Sequence, residues 1–286
     1  MASQVEGYRV GADDYVTKPV HPDDLASHIH AVLERAKERQ SKKAGGRVVG
    51  VIGVKGGVGT TTVAVNVAVT LAAARHTILA DFDAGGTAAI HLGFGALPDS
   101  EGLASLPASA IDPDRVAKSL VAHDSGLRFL SPANGALMPE QATAILSHLL
   151  DLCEVCVLDL GEGLSVVSRA LLERCDLVLL TLDSDRAAVL QAQRMLLALT
   201  ELGVNRSQVR MVWANRSGLD EPAALGTIRA AIGEEPIHVV HPAAELAHRS
   251  VESGTPLVLG ESDSAVAGAL RELGQFVLAA LADGRS

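Results

Sequence analysis

The stretch from Arg47 to Asn66 constrains this chain more than any other part of it. An apolar, β-branched run from Val48 to Val54 leads into glycines at 56, 57 and 59, and Thr60–Thr62 then opens an Ala/Val-rich segment. That order predicts strand, loop, helix. Glycines let successive backbone N–H groups turn inward, and a helix N-terminus adds the positive end of its dipole, so such a loop can cradle a polyphosphate. In the usual pattern a lysine stands just before the Ser/Thr. Here that place is Thr60, and the loop's lysine is Lys55, at its head. Gly56, Gly57, Val58, Gly59, Thr60, Thr61 and Thr62 are therefore expected to bind a nucleotide, with weak or absent hydrolysis.

The rest of the chain suits one large α/β domain behind a shorter segment. Strand-like runs at 47–54, 77–82, 127–131, 154–159, 176–182, 208–214 and 236–240 alternate with amphipathic stretches at 61–74, 139–151, 185–202, 222–232 and 264–283. This alternation predicts a mostly parallel sheet with helices on both faces, and ligands then bind beyond the carboxyl ends of the strands. Gly56–Gly59, Asp83, Asp159 and Asn215 all fall at that end. Residues 36–46, charged and then Gly-rich, read as a helix end and linker between a segment 1–35 and a domain 47–286. Residues 93–126, rich in Gly, Pro, Ser and Asp, are expected to hold short helices and a mobile surface, with a role that the sequence does not reveal.

Charge and composition exclude some functions. The formal net charge is −10, with 24 Lys and Arg against 34 Asp and Glu. Binding to nucleic acid phosphates needs clustered cations, so a nucleic acid partner is not expected. No apolar run is read as approaching the roughly 20 residues that span a bilayer, and the opening residues do not form a signal peptide, so a cytoplasmic location is expected. Any membrane contact would be peripheral and made through partners. The final helix has an apolar stripe but no basic face, which favours packing on the domain over binding a membrane surface. Cys153 and Cys156 form a lone CxxC, but Cys156 lies in an apolar strand, so core packing is the expected role of all three cysteines.

Several segments, in order, carry a resemblance. Lys55-Gly-Gly-Val-Gly-Thr-Thr-Thr62 resembles the deviant Walker A loop of the MinD/ParA group of P-loop ATPases. Asp81-Phe-Asp83 resembles that group's switch I, Val155–Asp159 its Walker B strand, and Trp213–Arg216 the strand end that meets adenine. His241-Pro242 through Gly254-Thr-Pro256 is similar to its C-terminal turns. Within the group the chain is most similar to the CpaE/TadZ branch of Tad/Flp pilus assembly, because the second loop lysine is missing and a receiver-like segment precedes the domain. Gly11–Pro19, Pro22–Leu25 and a helix to about Arg39 resemble the last strand, Lys-Pro turn and final helix of a response-regulator receiver. The phosphoacceptor aspartate of a receiver would lie earlier, so phosphorylation is not expected, and a truncated or mis-started product of a longer protein stays open.

The resemblance implies ATP and Mg²⁺ as ligands and a nucleotide-linked homodimer with pilus or secretion assembly proteins as possible partners. It implies that Lys55 reaches the partner's phosphates, that Asp83 orients the attacking water, and that Asp81 supports the metal. Asn215 and Arg216 would contact adenine and Pro242 would wall the base pocket. Read from the residues alone, each has a plainer alternative. Thr61 is placed to ligate Mg²⁺ as the P-loop Ser/Thr does, yet it or Thr60 could serve as an N-cap. Asp159, ending an apolar strand opposite the loop, suits a metal held through water or the cap of the next turn. Asp81 and Asp83 could form a solvated turn before Gly85-Gly86. Lys55 is a phosphate ligand or a surface charge, and Asn215-Arg216 a base contact or a polar turn. An active ATPase of the partition or division-site type and a response-regulator output protein are the competing functions.

Overall fold

A computed structural model of the chain describes residues 25, 45–95, 102–132, 137–216, 218 and 221–283. Apart from Leu25, the receiver-like segment 1–35 lies outside the described residues, as does the linker before Gly45. The sheet and its helices belong to the compact unit Gly46–Ser286.

Eight strands form one sheet: β1 (Arg47–Gly53), β2 (Thr77–Asp81), β3 (Val121–Ala122), β4 (Arg128–Leu130), β5 (Val155–Glu162), β6 (Leu177–Leu182), β7 (Val209–Ala214) and β8 (His238–Val240). Their spatial order is β3-β4-β2-β5-β1-β6-β7-β8. All pairings are parallel except β3 with β4, which adds a short antiparallel edge. Each central strand is buried on both faces, so its sequence is a continuous apolar run rather than an alternating one.

Successive residues of those runs feed opposite cores. Val48, Ile52, Ile78, Cys156, Leu158, Val178, Leu180 and Trp213 pack on one face. Helices α4 (Pro139–Leu150), α5 (Val166–Leu172), α6 (Arg186–Glu201) and α7 (Glu221–Ile232) cover that side. Val49, Val51, Leu79, Val155, Val157, Leu179 and Val212 pack on the other, under α1 (Thr60–Ala72) and α10 (Ala265–Asp283). The short helices α2 (Ala88–His91) and α3 (Pro113–Lys118), with α8 (Ala244–Ser253) and α9 (Leu257–Gly260), complete the set.

Strand β1 lies between β5 and β6, and the chain leaves it by α1 toward β2 on one side while β5 passes by α5 to β6 on the other. The glycine loop after β1 therefore sits at the carboxyl edge of the sheet where the strand order reverses, the place at which open α/β sheets bind ligands.

Two expectations need correction. The segment 265–282 is long and apolar enough, by length and composition, to cross a membrane. Its residues Ala267, Leu270, Leu273 and Val277 are buried beside α1 and β8, so it is built as a core helix. The missed run is interrupted by Arg271 and Glu272, which hid its length. Part of 93–126 also belongs to the core rather than to a mobile surface: Leu103, Ile111 and Val116 are buried, and Asp112 caps α3 through the Arg115 N–H at 2.9 Å. Cys156 and Cys175 are buried and Cys153 partly so, as core packing requires.

Candidate functional site

The loop 54–59 is held from below and open above. Val58 is buried at 1% exposure beneath it, whereas Gly56 and Gly57 are exposed. Gly57 and Gly59 take positive φ values of 74° and 82°, which glycine adopts without strain. Gly59 is the N-cap of α1 and no side chain caps that helix. The first N–H groups of α1 thus keep their hydrogen-bonding capacity for an anion above the loop. This removes the N-cap reading of Thr60 and Thr61.

The three threonines diverge. Thr60 is 9% exposed, and its hydroxyl lies 3.0 Å from the Thr181 hydroxyl of β6, which in turn donates to the Ile52 carbonyl at 3.3 Å. It points down into the sheet. A Cβ on Gly53 would stand 2.2 Å from the same Thr60 oxygen, so glycine is needed there for the hydroxyl to fit. No positive charge replaces the missing lysine at this position. Thr61 instead lies near enough to Asp159 for its hydroxyl to lower the pKa of the carboxylate. Thr62 offers its backbone carbonyl to the Asn66 side chain at 2.8 Å.

Asp159 is fully buried within β5, three residues before the strand's end at Glu162. One carboxylate oxygen accepts from the Gly161 N–H at 3.1 Å, and Oδ2 has no regular hydrogen-bond partner. Burial pushes its pKa up to about 6, against the Thr61 and Gly161 contacts that lower it. Asp81 of β2 is its neighbour in register, 1% exposed, and accepts from the N–H groups of Asp83 at 3.1 Å and Ala88 at 3.2 Å. Burial first, and the Asp159 charge second, raise Asp81 to about 8. A Cβ on Gly86 would stand 2.3 Å from Asp81 Oδ2, which ties that glycine to the carboxylate. Asp81 thus organises the 83–88 turn as well as facing Asp159. Asp83 packs on Gly161, where a Cβ would lie 2.5 Å from its Cγ. Among the described residues no group of three or more His, Cys, Asp and Glu could hold a metal alone.

Lys55 pairs with Asp185 at 2.5 Å, and Asp185 also caps α6 by accepting from Ala187 and Ala188, each at 3.0 Å. The Lys55 hydrogen bond is the main cause of a lowered Asp185 pKa. Arg216, beyond β7, donates to the Gly57 carbonyl and so reaches the loop itself. Asn215 is buried at 2% exposure, its N–H bonded to the Val240 carbonyl at 3.0 Å. Pro242 is exposed nearby, 4.0 Å from where a Cβ on Gly218 would stand. The structure therefore brings Thr61, Asp81, Asp83 and Asp159 together, with Lys55 and Arg216 at the loop. Sequence reasoning missed Asp185, Thr181 and Glu162. A Cβ on Gly56 would lie 2.3 Å from Glu162 Oε2, so that carboxylate rests against the loop.

Sheet order and loop together define a P-loop NTPase fold of the MinD/ParA form. Solved structures agree in fold. A ParA family ATPase from Chlorobium tepidum TLS superposes with a TM-score of 0.72 at 16% identity, covering 80% of this chain and 98% of that one. A chain of the MinC:MinD cell division complex of Aquifex aeolicus gives 0.69 at 17% identity, covering 82% and 96%. The septum site-determining protein MinD complexed with Mg-ADP from Pyrococcus horikoshii OT3 gives 0.67 at 17% identity, covering 81% and 95%. No family model matches the chain. A separate, short likeness is to the cell cycle response regulator CtrA of Brucella ovis: 53% identity over 34 residues, 12% of this chain and 15% of that protein's length.

Proposed function

We propose that the chain binds ATP with Mg²⁺ at the 55–62 loop and works as a nucleotide-linked homodimeric switch or scaffold with little or no turnover. The observation that carries this reading is the opposite orientation of Thr60 and Thr61. The Thr60 hydroxyl turns into the sheet toward Thr181, so no side-chain cation serves the β/γ-phosphates from that position. Thr61 stays beside Asp159, whose Oδ2 lacks a regular partner, and the α1 N-terminus is uncapped. Backbone binding survives such an arrangement, whereas phosphoryl transfer, which depends on electrostatic stabilisation, is weakened.

Thr61 and Asp159 would hold the metal, with Asp81 supporting from the adjacent strand. Mg²⁺ held there would supply neutralisation of the phosphate charge. Asn215, Arg216 and Pro242 would frame the base, and Lys55 would reach a partner subunit's phosphates. By its resemblance to the CpaE/TadZ branch, the switch would position pilus or secretion machinery in the cytoplasm. Residues 1–35 would be the remnant of a receiver-like domain, joined by the linker 36–46; the 34-residue likeness to CtrA favours a response-regulator link.

An ATPase cycling between monomer and dimer is the second reading, favoured by the presence of Lys55, Asp83 and Asp159 and by neighbours described as ATPases. Phosphate release with saturating ATP and Mg²⁺ separates the two. Release slower than about one per minute, against typical enzyme turnover of about 1 per second or more, supports the scaffold. Release at ordinary enzyme rates overturns it in favour of the cycling ATPase.

A further inference from the structure

The carboxylate of Glu162 rests on the backbone of Gly56, at the mouth of the loop that would receive the phosphates. A Cβ built on Gly56 would stand 2.3 Å from Oε2 and 3.2 Å from Cδ of Glu162, so the side chain fills the space beside that α-carbon. Its placement is built into the backbone. Glu162 ends β5 between two glycines of positive φ, Gly161 at 65° and Gly163 at 66°. The Gly163 N–H donates to the Gly53 carbonyl at 3.0 Å, pinning the segment to the base of the loop. A register shift between Val51 and Gly53 pairs Gly53 with Glu162, and so carries that residue to the loop. On its other side the segment meets Asp83 through Gly161.

The charge balance there is unfavourable to an anion. Among the described residues no ion pair engages Glu162. The loop's own lysine is held by Asp185, and Thr60 supplies no cation. Arg216 donates to the Gly57 carbonyl from outside the loop.

We infer that Glu162 is an anionic guard of the phosphate loop: it occupies the mouth, repels the polyphosphate, and must swing outward before nucleotide seats. The inference rests on the nucleotide-binding reading and adds a residue that sets its affinity. Its consequence is a switch tuned to bind weakly, whose loop opens only at high nucleotide concentration or when a partner draws Glu162 away.

The test is calorimetric titration of the full chain and of Glu162→Gln and Glu162→Ala with ATP, ADP and adenosine, all with Mg²⁺. Glu162 is exposed, and thermal melts verify that both variants fold. ATP should bind about two- to fivefold more tightly to each variant, the size expected for removing one like charge at an exposed site. ADP should gain less, adenosine nothing, and the gain should shrink as salt screens the repulsion. Unchanged or weaker ATP binding in both variants, with the wild type binding, overturns the guard and leaves the nucleotide reading standing. Equal tightening for ATP and adenosine also overturns it, because a structural effect does not count phosphates. Failure of all the proteins to bind ATP overturns both.

Discussion

Asp81 on β2 and Asp159 on β5 are register partners in the parallel ladder, so two buried carboxylates meet toward the carboxyl edge of the sheet beside the glycine loop that follows β1. Neither has a cation for a partner among the described residues. Burial raises both, to about 8 for Asp81 and about 6 for Asp159, above the ordinary value of 3.8. Between the ordinary value and the raised one the folded chain holds more protons than the unfolded chain. Stability therefore falls as pH rises through that window.

The first prediction follows from that sign. The thermal midpoint of the nucleotide-free protein should fall from about pH 5 to about pH 8. Asp81→Asn should flatten the fall, gaining roughly 3 °C or more at the upper pH and little at the lower. Scanning calorimetry at the two pH values checks it; a wild-type midpoint that rises over the window contradicts it.

Binding of a cation favours the ionised carboxylates, so uptake of Mg²⁺ with ATP should release protons, and affinity should rise from about pH 6 to about pH 8. Titrations in buffers of different ionisation enthalpy count the protons. Equal heats in all buffers would remove the metal from this pair.

Lys55 cannot reach a partner while it pairs with Asp185. Asp185→Asn keeps an N-cap for α6 but removes the charge, so ATP-dependent dimerisation should strengthen, whereas Lys55→Ala should abolish it. Sedimentation velocity with and without ATP reads both. An unchanged profile for Lys55→Ala would sink the linkage.

Thr60→Lys should raise phosphate release, because it returns a cation to the β/γ-phosphate region. The change breaks the buried contact to Thr181, at a cost of about 1 kcal/mol in stability. No increase in rate would mean that another part of the machinery is missing, with Glu162 the nearest suspect.

Asn66 ties α1 to the C-terminal turn: its side-chain oxygen accepts from the Val258 N–H at 3.0 Å, while its amide donates to the Thr62 carbonyl at 2.8 Å. Asn66→Ala leaves a buried N–H without a partner and should cost about 1–3 kcal/mol. Chemical denaturation measures it; a loss under about 0.5 kcal/mol would show that the turn is held elsewhere.

The sheet was legible because its strands are continuous apolar runs, and each of the expected strands is present. Strand β3 was not, since two residues at an antiparallel edge carry no periodicity. Helices α5 and α8 were missed for different reasons. The first is only 7 residues long, and the second, Ala244–Ser253, is polar over most of its surface. In the candidate site, the residues that stand out in the sequence by type and spacing, the glycines, Thr61, Asp81 and Asp159, are ones that the structure places near one another. Their partners do not stand out in this way. Asp185, Thr181 and Glu162 each lie far along the chain from the loop they touch, and only strand order brings them there.

The most direct test is the titration of the purified chain with ATP in the presence and absence of Mg²⁺, repeated with Thr61→Ala. Saturable binding near one nucleotide per chain is predicted, weakened at least about tenfold by either metal removal or the loss of Thr61. No binding heat at millimolar ATP, or binding that ignores both Mg²⁺ and Thr61, would contradict a phosphate loop at residues 55–62 and leave the fold as a pure interaction module.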